Sequence, residues 1–288
     1  MKKKHLGLYA ICAVCALLFV GAAAFNVDLR GQAAGTYAEL EEEVVALREP
    51  VAPKEDAADT GDTEEAEENP FAWDGEGAEL AIDFDKLLEK NDDTIAWLHV
   101  PAISISYPVL YYPYDNDYYL NRSFDGSYSS AGVIYLEHTN KKDFSEYNSF
   151  LYGHNMGDGS MFGRLHHIGN DKKAYEEYPY FYLYFPGGEV RRYYVFSFYE
   201  TQSGSSTYFV PEKEQAYDDY VKERRELSLA KPEGEWEEVL DLRVEQRANL
   251  VTLSTCHGAA GTTRRFVVHG ILDGIFAPED GPENATAE

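Results

Sequence analysis

The chain has 288 residues, a formal net charge of −26 at pH 7 and three cysteines. So large an acidic excess argues against nucleic acid and against anionic membrane surfaces as binding partners. Cys12 and Cys15 lie in an apolar N-terminal stretch, so a domain exported through that stretch cannot form an internal disulfide. The rest of the chain is long enough for one domain of about 200 residues with a substantial core.

The N-terminus predicts a membrane anchor. Three lysines at positions 2–4 precede an uncharged stretch from Leu6 to Phe25, and about 20 helical residues span a hydrocarbon core of about 30 Å. The lysines favour an N-terminus that stays inside. A cleaved signal peptide is the alternative, because residues 22–24 are alanines that offer a cleavage site. Residues 1–25 are therefore predicted as a cytoplasmic tip and a transmembrane signal anchor.

Residues 26–79 are predicted to form an acidic extracellular spacer. Between positions 39 and 68 there are 13 acidic residues and two basic ones, a composition typical of a solvated and self-repelling segment. Within this segment, residues 37–47 are predicted to begin as a short helix, because Leu40, Val44 and Leu47 recur at helical spacing.

Residues 80–276 are predicted to fold, and residues 277–288 are predicted to be a disordered tail. A helix starts at a cap residue, Asp83, and a second helix lies within the polar segment 211–231. Short aromatic and β-branched runs bounded by turn formers predict strands. The predicted strands cover 94–100, 103–107 (stopped by Pro108 and continued briefly by 109–112), 132–136, 149–153, 180–185, 192–198, 248–256 and 265–272. Two of them join through a hairpin at 186–188. The absence of a βαβ rhythm favours a mostly antiparallel, closed barrel with helical insertions.

Cys256 ends the strand predicted over 248–256, beside a glycine-containing loop. Alternation along that strand places Thr252, Ser254 and Cys256 on one face. A lone cysteine in an exported domain is either a small buried hydrophobe or a reactive thiol. The polar strand end favours a reactive thiol, because strand ends and loops are where side chains reach substrates.

A nucleophilic thiol needs an acid or base and a group that stabilises an oxyanion. His154 stands out because it follows a strand end and precedes a run of turn formers, although His138 and His269 stay open on pattern alone. Arg264 and Arg265 begin the last strand opposite the cysteine, and alternation lets only one of them face the site. The sequence has no metal-binding spacing and no phosphate-binding glycine loop.

These segments together resemble a class B sortase over roughly residues 80–276. The stretches that carry the resemblance are Ile82-Asp83-Phe84-Asp85-Lys86-Leu87-Leu88, Asp93-Thr94-Ile95-Ala96-Trp97-Leu98, Tyr107-Pro108-Val109, Asp115-Asn116-Asp117-Tyr118-Tyr119-Leu120, Gly132-Val133-Ile134-Tyr135-Leu136, Leu151-Tyr152-Gly153-His154-Asn155-Met156, Gly159-Ser160-Met161-Phe162, Thr252-Leu253-Ser254-Thr255-Cys256 and Arg265-Phe266-Val267-Val268. The Thr-Leu-x-Thr-Cys run alone is moderately specific. Together with the Gly-His-Asn-Met run and the downstream arginine it is strongly specific.

The resemblance implies a mostly β fold: a closed eight-stranded barrel with an N-terminal helix and a helical insertion between strands six and seven. It also implies a cysteine transpeptidase at the cell surface, with no cofactor and no metal. By motif match Cys256 is the nucleophile, His154 the general acid and base, and Arg265 the oxyanion stabiliser. Arg265 is chosen over Arg264 because it directly precedes the apolar strand.

Three further residues, Ser254, Thr255 and Asn155, are predicted to bind substrate, and a packing role for Ser254 stays open. The implied reaction cleaves a C-terminal sorting signal after threonine through a thioacyl enzyme and transfers the protein to a peptidoglycan amine. The implied partners are therefore surface proteins that bear sorting signals, a peptidoglycan precursor and, through the anchor, the membrane.

Three alternatives remain at this point. A pilin-polymerising sortase would use a lysine side chain as the acceptor. A cell-wall Cys/His peptidase would usually place the cysteine at a helix N-terminus, with the histidine later in the sequence. A tethered binding module without catalytic activity would bind surface polymers through its tyrosines, and Cys256 would then be inert.

Overall fold

The computed structural model of the chain describes residues 35–48, 69–170, 172–232, 234–256 and 262–278. Its helices are α1 (35–44), α2 (Phe84–Lys90), α3 (His167–Asn170), α4 (Lys172–Glu177), α5 (Glu214–Leu227) and α6 (Glu235–Glu245), with short 3-10 helices at Pro101–Ile103 and Ser206–Tyr208. Its strands are β1 (Val45–Leu47), β2 (Leu80–Ile82), β3 (Thr94–Val100), β4 (Ile105–Leu110), β5 (Ile134–Leu136), β6 (Asn148–Tyr152), β7 (Tyr180–Tyr184), β8 (Val190–Gln202), β9 (Leu250–Cys256) and β10 (Arg264–Phe276).

Strands β3 to β10 close into an eight-stranded barrel in the order β10-β8-β7-β3-β4-β5-β6-β9. Six of the eight neighbouring pairs are antiparallel, and two, β4/β5 and β6/β9, are parallel. The predicted closed and mostly antiparallel barrel is therefore confirmed. Closure removes the exposed strand edges that an open sheet would leave.

Aromatic side chains fill much of the barrel wall and its surroundings. Trp97 on β3 has no exposed surface, and Phe181 on β7 stacks on Tyr193 on β8 with ring centroids 5.2 Å apart. Such pairs add about 0.5–1.5 kcal/mol beyond the burial of their area. The tyrosine-rich runs that predicted strands are thus the runs that build the barrel.

One strand boundary differs from the prediction. The strand predicted to stop at Pro108 continues through it, since β4 runs from Ile105 to Leu110. Pro108 pairs with Trp97 on β3, whereas pairing with β5 begins only at Val109. A proline without an N–H is tolerated where one edge of the strand is not yet paired.

The helices agree with the predicted pattern in two places. Asp83 caps α2, because its carboxylate accepts a hydrogen bond from the Lys86 N–H at 3.1 Å. Helix α5 follows the sixth barrel strand and buries Tyr217, Tyr220 and Val221, so the insertion between strands six and seven is confirmed. Helix α6 extends the same insertion, and its polar sequence gave no periodic signal because its only buried residue is Leu240.

Part of the predicted spacer packs against the barrel. Helix α1 buries Tyr37, Leu40 and Val44, β1 pairs with β2, and Trp73 stacks on Tyr182 with ring centroids 6.0 Å apart. The predicted short helix is thus present as α1, but the acidic residues between its apolar positions concealed that this amphipathic helix packs on the barrel. The structure therefore differs from the prediction for residues 35–48 and 69–79, and Leu47 is exposed in β1 rather than helical.

The predicted anchor at 1–25, the spacer residues 26–34 and 49–68, and the tail from 279 onward lie outside the described residues. Within the described ranges, no helix combines the length and the apolar character needed to cross a bilayer.

Candidate active site

Cys256 is the last residue of β9, and it lies at the rim of the barrel. The six residues before it on the strand are buried, whereas Cys256 is partly exposed and its thiol is free. Strand β9 is held on both sides, by β6 in parallel and by β10 in antiparallel pairing. The barrel thus fixes the backbone of the strand and presents the thiol at its open end.

The thiol opens into a cavity of about 300 Å³. The walls of this cavity come from six separate parts of the chain. Its lining residues are Asn116, Leu120, Tyr135, Tyr152, Gly153, His154, Ser203, Gly204, Tyr208, Ser254, Thr255, Cys256 and Arg265. The predicted nucleophile, acid/base and oxyanion stabiliser are therefore brought to one cavity.

Size alone does not identify this cavity as the site. A larger space of about 610 Å³ lies beside α4 and α6, and its walls include Tyr194, Leu229 and Trp236. No cysteine or histidine lines that space among the residues described. The smaller cavity is the candidate site because it joins a free thiol, an imidazole and a guanidinium.

Strand register separates the two consecutive arginines. Arg265 pairs directly with Cys256 across β10 and β9, and it lines the cavity. Arg264 points to the other face, where it forms an ion pair with Glu200, and about half of its side chain is exposed. Arg265 is anchored by hydrogen bonds from Nη1 to the carbonyls of Thr262, at 2.7 Å, and Arg264, at 2.9 Å. A fixed, permanently charged group beside a thiol suits an oxyanion.

His154 follows β6, the parallel neighbour of β9. Its Nε2 lies 2.7 Å from the Leu120 carbonyl oxygen. A carbonyl only accepts hydrogen bonds, so Nε2 carries the proton in the neutral ring and Nδ1 is left to exchange protons. Gly153 has no room for a side chain, since a Cβ there would lie 2.4 Å from Ile134 Cδ1 and 2.8 Å from Phe162. The backbone therefore packs closely against Ile134 and Phe162 just before the histidine.

Two predicted substrate-binding residues have structural partners. The Thr255 hydroxyl donates to the Gly153 carbonyl at 2.8 Å, and Thr255 is almost fully buried. Asn155 forms an isolated bridge with Met161 and does not line the cavity. Ser254 lines the cavity, and its hydroxyl lies 2.8 Å from the hydroxyl of Tyr208.

Sequence reasoning missed the wall that contains Tyr208. This residue ends the 3-10 helix Ser206–Tyr208, which lies between β8 and α5. Its ring packs near Phe150 and Tyr152, with centroid distances of 5.6 and 6.4 Å, and burial raises the pKa of Tyr208. The sequence showed only that Tyr208 lies beside the predicted insertion. That position does not predict a contact with β9.

A hydrogen-bonded carboxylate supports the adjacent wall, which contains Tyr152. Glu137 accepts hydrogen bonds from Tyr152, at 3.0 Å, and from Asn116, at 2.7 Å, and it contacts His138 Nδ1 at 2.7 Å. Burial and the nearby Glu137 carboxylate raise the pKa of Tyr152. Tyr152 thus remains a neutral donor, and His138, one of the open candidates, is occupied with this carboxylate.

The other open candidate, His269, lies within the barrel. It has no exposed surface, and its ring nitrogens lie 2.8 Å from Thr252 Oγ1 and 3.1 Å from the Tyr199 hydroxyl. Burial lowers the pKa of His269 well below its ordinary value. This histidine is therefore a neutral structural residue.

Comparisons with known proteins agree with this geometry. The chain matches the sequence profile of the Sortase domain family over residues 98–273. Sortase B of Listeria monocytogenes is 31% identical over 203 residues, which cover 69% of this chain and 76% of that protein. Sortase B of Staphylococcus aureus is 30% identical over 189 residues, which cover 64% of this chain and 72% of that protein.

Solved structures give the same result. The structure of Clostridium perfringens sortase B is similar to this chain with a TM-score of 0.58 and 28% identity, covering 66% of this chain and 99% of that one. A Staphylococcus aureus sortase B–substrate complex is similar with a TM-score of 0.57 and 28% identity, covering 66% of this chain and 83% of that one.

Proposed function

We propose that Cys256, His154 and Arg265 carry the acyl-transfer chemistry of this chain, which belongs to the sortase family and is a class B cysteine transpeptidase. The observation that carries this proposal is the cross-strand pair of Arg265 and Cys256 at a cavity that His154 also lines. A nucleophile, an acid and base, and a charge for the oxyanion are the groups that acyl transfer requires.

In the first half-reaction the Cys256 thiolate attacks the carbonyl carbon of a threonine in a C-terminal sorting signal. The Arg265 guanidinium stabilises the negative charge that develops on the carbonyl oxygen. His154 donates a proton to the departing amine as the C–N bond breaks. The threonine acyl group remains on sulfur as a thioester.

In the second half-reaction an amine of a peptidoglycan precursor attacks the thioester carbon. His154 accepts a proton from this amine, the C–S bond breaks, and the thiolate is restored. Thioesters react readily with amines. Low access of water to the thioester would favour transfer over hydrolysis.

Two observations support the proposed ligand and location. One solved relative is described as a sortase B–substrate complex, which supports a sorting-signal peptide as the ligand of the cavity. Sortases are associated with the cell surface, and three lysines precede the apolar stretch 6–25. Both features support a catalytic domain outside the cell, held by residues 1–25 as a single-pass anchor.

The test uses the full-length chain, because residues 35–48 pack against the barrel. Fluorogenic pentapeptides, including signals of the Asn-Pro-x-Thr-Asn type, are offered with two acceptors, a peptidoglycan-type amine and a lysine peptide. We expect cleavage after threonine and a thioacyl adduct on Cys256 in the intact mass, and no adduct in Cys256→Ala. A folded chain that forms no adduct with any peptide would favour the tethered binding module. A strong preference for the lysine peptide would favour pilin polymerisation.

A further inference from the structure

Helix α1 contacts the barrel through a buried tyrosine. Tyr37 is only 4% exposed, and its hydroxyl donates to the Gly132 carbonyl at 2.9 Å. Its ring meets the Tyr107 ring edge-on, with centroids 5.5 Å apart. Burial raises the pKa of Tyr37, so the hydroxyl stays protonated and remains a donor throughout the physiological pH range.

The residue that accepts this hydrogen bond lies against His154. Gly132 has a φ of 59°, and a Cβ at this position would lie 2.7 Å from the Leu120 carbonyl oxygen and 3.2 Å from His154 Cδ2. The Leu120 carbonyl is the partner of His154 Nε2. Tyr37 therefore holds a backbone segment that contacts both the imidazole ring and the group that fixes its tautomer.

A second line of contacts reaches the other side of the same histidine. The Tyr107 hydroxyl accepts a hydrogen bond from the Met161 N–H at 3.1 Å. Met161 has a φ of 51°, which is uncommon for a residue with a side chain. The next residue, Phe162, donates its N–H to the His154 carbonyl at 3.0 Å. The Tyr37–Tyr107 pair thus supports His154 through its ring and through its backbone.

Helix α1 is itself held in place independently of these contacts. Strand β1 follows it directly and pairs with β2. The Asp83 N–H donates to the Val44 carbonyl at 2.9 Å, and Glu43 forms an ion pair with Lys90. Helix α1 therefore keeps its place through contacts with β2 and α2 that do not involve the Tyr37 hydroxyl.

We infer that Tyr37 is a positioning residue for His154, so that the segment preceding the barrel sets the geometry of the acid and base. This inference rests on the role proposed for His154. The segment lies between the predicted anchor and the barrel, in the part of the sequence predicted to be a solvated spacer. Helix α1 belongs to the active-site scaffold, because the Tyr37 hydroxyl lies 2.9 Å from the Gly132 carbonyl oxygen.

The test compares two matched variants of the full-length chain, Tyr37→Phe and Tyr175→Phe. Tyr175 is also buried, and its hydroxyl also donates to a backbone carbonyl, that of Val195, at 2.9 Å. Each variant loses one hydroxyl and keeps its ring. Because small misplacements of catalytic groups are costly, we expect Tyr37→Phe to lower kcat about 10-fold, with KM changed by less than about twofold. Tyr175→Phe should lose similar thermal stability and keep its kcat.

A second measurement does not depend on turnover. In histidine-labelled protein, with the His154 ring signal assigned from His154→Gln, we expect this signal to shift or broaden in Tyr37→Phe and not in Tyr175→Phe. Equal kcat and unchanged ring signals in the two variants would overturn the inference. A shifted signal in a chain that transfers no peptide would support the positioning and contradict the proposed function. Tyr107→Phe, which removes the second line of contacts, should give the same result as Tyr37→Phe.

Discussion

The body of the barrel and its rim use polar side chains on one strand face for different purposes. On β10, His269 lies in the body, without exposed surface, and contacts Thr252 and Tyr199. Four residues earlier on the same face, Arg265 lies at the rim and lines the cavity with His154. Alternation along the strand is the same at both positions, so only the depth differs.

This difference indicates that depth in the barrel separates buried structural groups from the groups that line the cavity. An imidazole in the body is kept neutral by burial, which lowers the pKa of His269, and it cannot exchange protons near neutral pH. The rim imidazole of His154 is partly exposed and faces a free thiol across a cavity. Changes at the rim should therefore affect turnover, and changes in the body should affect stability.

The largest expected effect is at the rim. We expect Arg265→Ala to lower kcat by about 10²–10³-fold, because it removes the proposed oxyanion stabiliser. Arg264→Ala should keep kcat within about twofold, since an exposed ion pair contributes little and its partner Glu200 lies away from the cavity. Steady-state kinetics with the peptide and acceptor that the unmodified chain prefers measure both. The opposite ranking of the two variants would show that Arg264 serves the site.

A smaller effect is expected in the body. Burial lowers the pKa of His99 to about 4, from an ordinary value of 6.5, and lowers that of His269 as well. Between these pH values the unfolded chain binds protons that the folded chain does not, so stability is complete above about pH 6.5 and falls toward pH 4. For His99 the expected loss of unfolding free energy is on the order of 2 kcal/mol. This is less than the full shift in pKa would give, because the ring is partly exposed and solvent screens its charge.

Thermal melting between pH 7 and pH 4.5 measures this loss. We expect His99→Gln to have a flatter dependence of the melting temperature on pH, since glutamine does not titrate. An unchanged dependence in His99→Gln would show that other groups cause the acid sensitivity.

The smallest expected effect lies where the insertion meets the rim. Tyr208→Phe and Ser254→Ala each remove the same hydrogen bond, which joins the two hydroxyl oxygens at 2.8 Å. Each variant should lose about 1 kcal/mol of unfolding free energy. Since they break one interaction, the double variant should cost hardly more than either single variant. Chemical denaturation of the three variants measures the coupling. Fully additive losses would show that the two hydroxyls act separately and that the insertion wall is not held by Ser254.

Much of the strand-based part of the site was predictable, because it depends on local alternation. The face shared by Ser254 and Cys256 follows from the period of two along β9, and the same period along β10 lets only one of the two arginines face the site. Arg265 was chosen because it directly precedes the apolar strand. The pairing register of Arg265 with Cys256 agrees with that choice.

The loop-based part was not predictable, because its contacts are not local. Tyr208 reaches Ser254 across 46 residues, and His154 reaches Leu120 across 34. A short helix was predicted from the spacing of Leu40 and Val44, but its contact with the barrel was not, because the acidic residues between these positions gave the composition of a spacer. Periodicity within one element shows which side chains share a face, but it cannot show which distant loop covers that face.

The parallel pairing of β6 with β9 has a consequence for folding. Residues from Asn148 to Tyr152 pair with residues from Leu250 to Ser254, so His154 and Cys256 extend from adjacent strands at the same end. The hydrogen bond from Thr255 to Gly153 beside them spans 102 residues. Contacts of such sequence separation form slowly, after long loops have closed. The thiol therefore meets its proposed acid and base, His154, only when the barrel closes, and we expect the onset of transfer activity to report the late steps of folding.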